Sequence, residues 1–103
     1  MSAPKNLKPR FDFEILPVTG EPYDSHEVWI KSTLHQHHCG GYLVRRDADG
    51  KATSKSGQWW VGIGWHNGPE HGPYRTFASA RKAVVKDQVL TPVLHERGFR
   101  SDG

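Results

Sequence analysis

The residues best suited to chemistry fall into two groups. The first is HQHHC at 35–39, with His66 and His71 further along, which supplies metal-ligand and nucleophile types. A closed zinc site takes four ligands, usually as spaced pairs on either side of a loop. Here a single thiol, Cys39, stands beside consecutive histidines, and His37, His38 and Cys39 cannot all point one way on a strand or a helix. His66 and His71 are separated by a Pro-containing turn. The expectation is therefore no metal and no cofactor, with the histidines as ordinary solvent-facing or half-buried side chains. Cys39 next to His38 makes no nucleophile pair either, because such a pair hydrogen-bonds through space rather than by adjacency. Asp47, Asp49 and Gly50 look like the opening of a calcium loop, yet Lys51 takes the third ligand position and Gln58 the place of the bidentate glutamate. No phosphate-binding glycine loop or GxSxG elbow is present. The chain reads as a non-enzymatic protein.

The second group is Arg45, Arg46, Trp60 and Arg75, which the sequence places on three neighbouring strands. Arginines interleaved with an aromatic on an open sheet face suit phosphate contact and packing against bases or sugars. The competing expectation is that Trp60 is covered by the amino-terminal segment carrying Phe11, Phe13, Trp29 or Ile30. Charge is uneven along the chain. Residues 1–30 carry three basic and five acidic side chains, residues 31–103 eleven and six, within an overall +3. A basic carboxy-terminal part favours an anionic partner, nucleic acid among them.

The elements that must position these residues follow from pattern. Phe11, Phe13 and Ile15 alternate with Asp12 and Glu14, as in a half-buried strand ended by Pro17. Residues 25–39 carry competing signals. Asp24 with Glu27 three residues on, and Gly40-Gly41 as a stop, favour a helix, while Val28, Trp29 and Ile30 prefer a strand. Tyr42 to Arg46 is a short strand, and residues 47–57 form a polar loop. Gln58 to Trp65 is the strongest strand. Trp59, Val61, Ile63 and Trp65 make its core face; Trp60, Gly62 and Gly64 make the other, where the glycines signal close approach of something to the sheet. HNGPEHG at 66–72 reads as a turn-rich connection, Tyr74 to Phe77 as a third strand, and Ser79 as the cap of a helix. Thr91-Pro92 starts a second, short helix stopped by Gly98.

With 103 residues the chain is long enough for one domain, assigned to 10–100, with residues 1–9 as a flexible tail. Only 35% is hydrophobic and the mean hydropathy is −0.71, so core material is concentrated in a few aromatic side chains. No apolar run reaches the ~18 residues of a membrane span. One cysteine excludes an internal disulfide and fits a reducing, cytoplasmic compartment.

The segments GYLVRRDADGK, GQWWVGIGWHNG and PYRTFASARKAV resemble the three-stranded sheet plus helix of ethylene-response-factor-type DNA-binding domains and of phage integrase amino-terminal domains. The resemblance covers residues 41–90. It implies a sheet laid in the DNA major groove, with Arg45, Arg46 and Trp60 in contact. The expected fold is α+β: a small antiparallel sheet of three to four strands with one main helix, Ser79–Leu90, packed on one face. Two functions fit that fold. One is a DNA-binding module acting through the Arg/Trp sheet face. The other is a phage or mobile-element accessory or inhibitor protein that binds a host protein through the Trp60 surface.

Overall fold

Alternation sets the first strand, and the remaining elements follow it in a simple order. The computed structural model describes residues 10–32, 36–64 and 69–99, with no side-chain description for 32 and 36–38; the expected tail at 1–9 lies outside the described residues. The strands are β1 (Asp12–Pro17), β2 (Ser25–Ser32), β3 (Gln36–Arg46), β4 (Gln58–Ile63) and β5 (Glu70–Tyr74); the helices are α1 (Phe77–Val85) and α2 (Thr91–Glu96). Each strand pairs antiparallel with its sequence neighbours, giving an open sheet in the order β1-β2-β3-β4-β5. The class is α+β, but with five strands instead of three or four and two short helices instead of one main helix.

Most of the difference lies at 25–39, where β2 and the start of β3 replace the favoured helix. Val28 and Ile30 are fully buried, two residues apart on one pleated face, which a helix could not arrange. Glu27 does not close a capping box with Asp24. Its carboxylate instead accepts the Trp29 indole N–H at 2.9 Å, and Asp24 pairs with Arg45. Gly40 and Gly41 stop no helix; they lie inside β3. A Cβ at 40 would press on Ile30 and Leu94, and one at 41 would overlap the Gly62 carbonyl and crowd Leu90. Bare backbone here lets β4 and α2 close against β3. Val28 opposes Gly41 while Trp29 opposes Cys39, so Gly40 is the extra residue of a bulge.

The last strand and first helix also begin earlier than expected. β5 takes Glu70 and His71 from the presumed connection, and Phe77 opens α1 rather than closing a strand. Thr76, not Ser79, is the cap: its Oγ1 accepts the Ser79 N–H at 3.1 Å, satisfying one of the helix's orphan donors. α1 buries Ala80, Ala83 and Val84, small side chains that let it lie close to the sheet. Gln88 ties the link after α1 to the start of β1, accepting the Phe11 N–H at 3.2 Å and donating to its carbonyl at 3.1 Å. α2 starts at Thr91-Pro92 and is followed by Gly98 at φ +91, as the sequence predicts.

Both helices pack on one face of the sheet. Phe11, Phe13, Val28, Ile30, Leu43, Trp59, Val61 and Ile63 meet Ala80, Val84, Leu90 and Leu94 there. The expected core face of β4 is borne out for Trp59, Val61 and Ile63; Trp65 lies outside the described residues. Among the described residues no helix is long and apolar enough to cross a membrane.

Candidate functional site on the helix-free sheet face

Burial of Trp59, Val61 and Ile63 beneath the helices sends Trp60 and Gly62 to the opposite face. Val44 pairs with Trp60, Tyr42 with Gly62, and Gly62 with Glu70, so Tyr42, Val44, Arg46, Trp60 and Glu70 share that face. Of the four residues singled out in the sequence, only Arg46 and Trp60 come together. Arg45, next to Arg46 on the strand, turns to the helix side and pairs with Asp24 at 3.0 Å. Arg75 is exposed in the bend between β5 and α1. Adjacent strand residues cannot serve one surface, and for that reason the expected Arg45–Arg46 pair divides.

Of the two glycines expected on this face, Gly62 lies in β4, and Gly64 follows the strand at φ +79 beside Arg97. A Cβ at Gly62 would overlap Cζ, Cε1 and Cε2 of Tyr42, so what approaches the sheet there is the chain's own ring. The ring reaches across β4 to β5, where the Tyr42 hydroxyl donates to Glu70 Oε2 at 2.7 Å. Arg46 donates to both oxygens of the same carboxylate, Nε to Oε1 at 2.9 Å and Nη2 to Oε2 at 2.7 Å, while its Nη1 donates to the Gly50 carbonyl at 2.9 Å. Burial alone would push Glu70 up, but the Arg46 and Tyr42 hydrogen bonds hold it below the usual carboxylate range. Burial, reinforced by Glu70, pushes Tyr42 up to about 12. The Glu70 hydrogen bonds raise Arg46 further. The three side chains form a closed, half-buried clamp joining β3 to β5.

Trp60 stands beside this clamp. Phe11, Phe13 and Ile30 do not cover it, since they lie in the core under the helices; Trp29, half-buried on β2, donates its indole N–H to Glu27. Its ring rests on Gly72 of β5, where a Cβ would meet Cε3 and Cδ2 at 3.2 and 3.3 Å, and the indole is left half-buried. With Arg46, Asp47, Gly57, Gln58 and Glu70 it lines a cleft of about 640 Å³. The loop wall is shaped by Asp47, whose Oδ1 accepts the Asp49 and Lys51 N–H groups, so the first aspartate of the calcium-like run builds this turn. A second cleft, of about 470 Å³, adjoins it on the same face, lined among others by Val18, Tyr23, Cys39, Tyr42, Val44 and Arg46. Burial pushes the Cys39 thiol up, so it stays protonated and unsuited to nucleophilic attack. The side chains of His35, His37, His38 and His66 lie outside the described residues.

Sequence reasoning missed Tyr42, Val44 and Glu70 as members of this face. The parity of YLVRR would have placed Tyr42 and Val44 with Arg46; Glu70 had no signal, because it sits in a stretch that reads as a turn.

On the helix side one histidine is set in the aromatic core. The His26 ring lies 4.4 Å from Phe77 and 5.8 Å from Trp59 between centroids, with its Nδ1 buried and unpartnered. Burial lowers its pKa, opposed only in part by Asp24. The folded state thus binds the proton less readily than the unfolded chain does. The stability from neutral His26 is complete above the unfolded value of ~6.5 and is lost as pH falls below it. The thermal midpoint is expected to drop between pH 7 and 5, and His26→Phe to flatten that drop. An unchanged slope in the variant would assign the acid sensitivity to other groups.

No family model matches the chain, and neither a curated protein nor a solved structure is significantly similar to it. The site has to be read from its own chemistry.

Proposed function

We propose that the chain is a non-enzymatic binding module that engages a partner protein through the helix-free face of its sheet, with Trp60 as the anchor. One observation carries this reading: the two large charged side chains of the cleft beside Trp60, Arg46 and Glu70, are already bonded to each other. Arg46 is committed to Glu70 and Gly50, and Glu70 to Arg46 and Tyr42, so the indole is the free recognition element. A group entering the cleft gains by burying apolar surface against an aromatic, the commonest form of interface hot spot. With Arg46 and Glu70 neutralising each other, Asp47 leaves the cleft one net negative charge, so the partner that fits presents an apolar anchor with a basic neighbour.

The same geometry weighs against DNA contact through this face. A phosphate reaching Arg46 must displace Glu70 from a bidentate pair, and Arg45 lies on the other side of the sheet. The test places a photoreactive side chain at exposed Gln58 on the cleft wall. One discrete protein adduct is expected, and Trp60→Ala should weaken capture by at least about 30-fold, the ~2 kcal/mol of a hot spot. An adduct indifferent to Trp60→Ala, or one formed with nucleic acid in place of protein, overturns the proposal.

A further inference from the structure

The helix side of the sheet is basic. Residues 75–99, which form the helix side, carry five basic side chains (Arg75, Arg81, Lys82, Lys86 and Arg97) against Asp87 and Glu96. All seven are exposed. Helix α1 contains no acidic residue, and Lys82 and Lys86 sit one turn apart on the same face, a like-charge pair that costs the helix a few tenths of a kcal/mol. Arg10 adds a further cation at the end of this helix, donating to the Lys86 carbonyl at 2.6 Å. Helix-end electrostatics explains Arg10, Lys82 and Lys86, which lie near the negative carboxy-terminal end of α1. It does not explain Arg81 or Arg75. Among the described residues, Arg81, Lys82 and Lys86 form no ion pair.

We propose that the outer face of α1, with Arg10 at its end, is a second binding surface, for the phosphate backbone of duplex DNA, contacted without sequence preference. Arg81, Lys82 and Lys86 lie over the last turn and a half of α1 and its cap, about 8 Å, a length over which a duplex presents about four charges, so with Arg10 four cations meet a matched array. Two rival anionic partners lack what they would need on this surface. Single strands are held by exposed aromatic platforms, and membranes by inserted apolar side chains. Among the described residues the one large exposed hydrophobic is Leu16, at 40%, in β1 of the sheet. The surface is separate from the Trp60 cleft, which lies across the sheet. Together they would hold a partner protein against DNA.

The test measures binding of the full chain to a 20-base-pair duplex of arbitrary sequence by fluorescence anisotropy across a salt series. Expected is a linear fall of log K with log salt, of slope about −3 to −4 for four phosphate contacts. Arg81→Glu/Lys82→Glu should weaken binding at low salt at least tenfold; the milder Arg81→Gln/Lys82→Gln should flatten the slope by about two and serves if the first variant misfolds. Trp60→Ala should leave duplex binding intact, which separates this surface from the protein site. The inference is overturned if no duplex binding occurs at low salt, if the α1 variants bind as the parent does, or if anionic lipid vesicles compete as well as duplex DNA.

Discussion

Replacing Gly62 by alanine is expected to destabilise the fold by more than most single-methyl additions, by about 3 kcal/mol or more. Overpacking of a well-filled site usually costs 1–3 kcal/mol, because neighbours can give way. Here the neighbour is the Tyr42 ring, and its far end is held by Glu70, which Arg46 grips in turn. The new methyl must expel the ring, and with it the hydroxyl–carboxylate bond that joins β3 to β5. Urea unfolding of Gly62→Ala beside Tyr42→Ala and the double variant tests this directly. In the Tyr42→Ala background the added methyl should cost less than about 1 kcal/mol, so the cycle should show a coupling of ~2 kcal/mol or more. Additive costs would mean that the ring does not hold the glycine bare.

The same residues show where the sequence was informative. Short-range alternation located β1 and the core face of β4, and the Thr91-Pro92…Gly98 punctuation located α2, because those signals are local. At 25–39 local signals conflicted, and burial decided between them. Val28 and Ile30 can both reach the core only at a spacing of two. Asp24 and Glu27 form a helix cap in one context, and an ion pair plus an indole acceptor in another. Gly40 and Gly41 look like a helix stop until β4 and α2 are seen closing on them.

The site was half legible. The sequence placed Trp60 on a glycine-flanked, non-core face, and the strand register puts Arg46 on that face with it. The partner that orders Arg46, however, lies 24 residues away in a segment dense in turn formers. Charge counting had a similar limit. It found a basic carboxy-terminal part but could not tell arginines already occupied by Asp24 and Glu70 from those left open on α1. Ion pairing is a property of the fold. The basic side chains on α1 remain available, while Arg45 and Arg46, first chosen for DNA contact, are neutralised within the molecule.

Neighbouring tryptophans on one strand should respond to truncation very differently. Trp59 is 7% exposed and packed edge-on against Phe77 at 5.2 Å, beside His26 and beneath α1. Trp59→Ala should cost the ~3–5 kcal/mol of a buried aromatic, against a total stability of ~5–15 kcal/mol for a domain of this kind. A variant only partly folded at 25 °C is the expected outcome. Trp60 faces the other way, half-buried on Gly72 and the cleft, so Trp60→Ala removes contacts on one side only and should cost under about 1.5 kcal/mol. Urea midpoints at unchanged m-value measure both, and a changed m-value would mark a perturbed unfolded or native state instead. The contrast is what allows Trp60→Ala to report on binding rather than folding. If Trp60→Ala proves as costly as Trp59→Ala, the indole is a structural residue, and the proposed protein site loses its anchor.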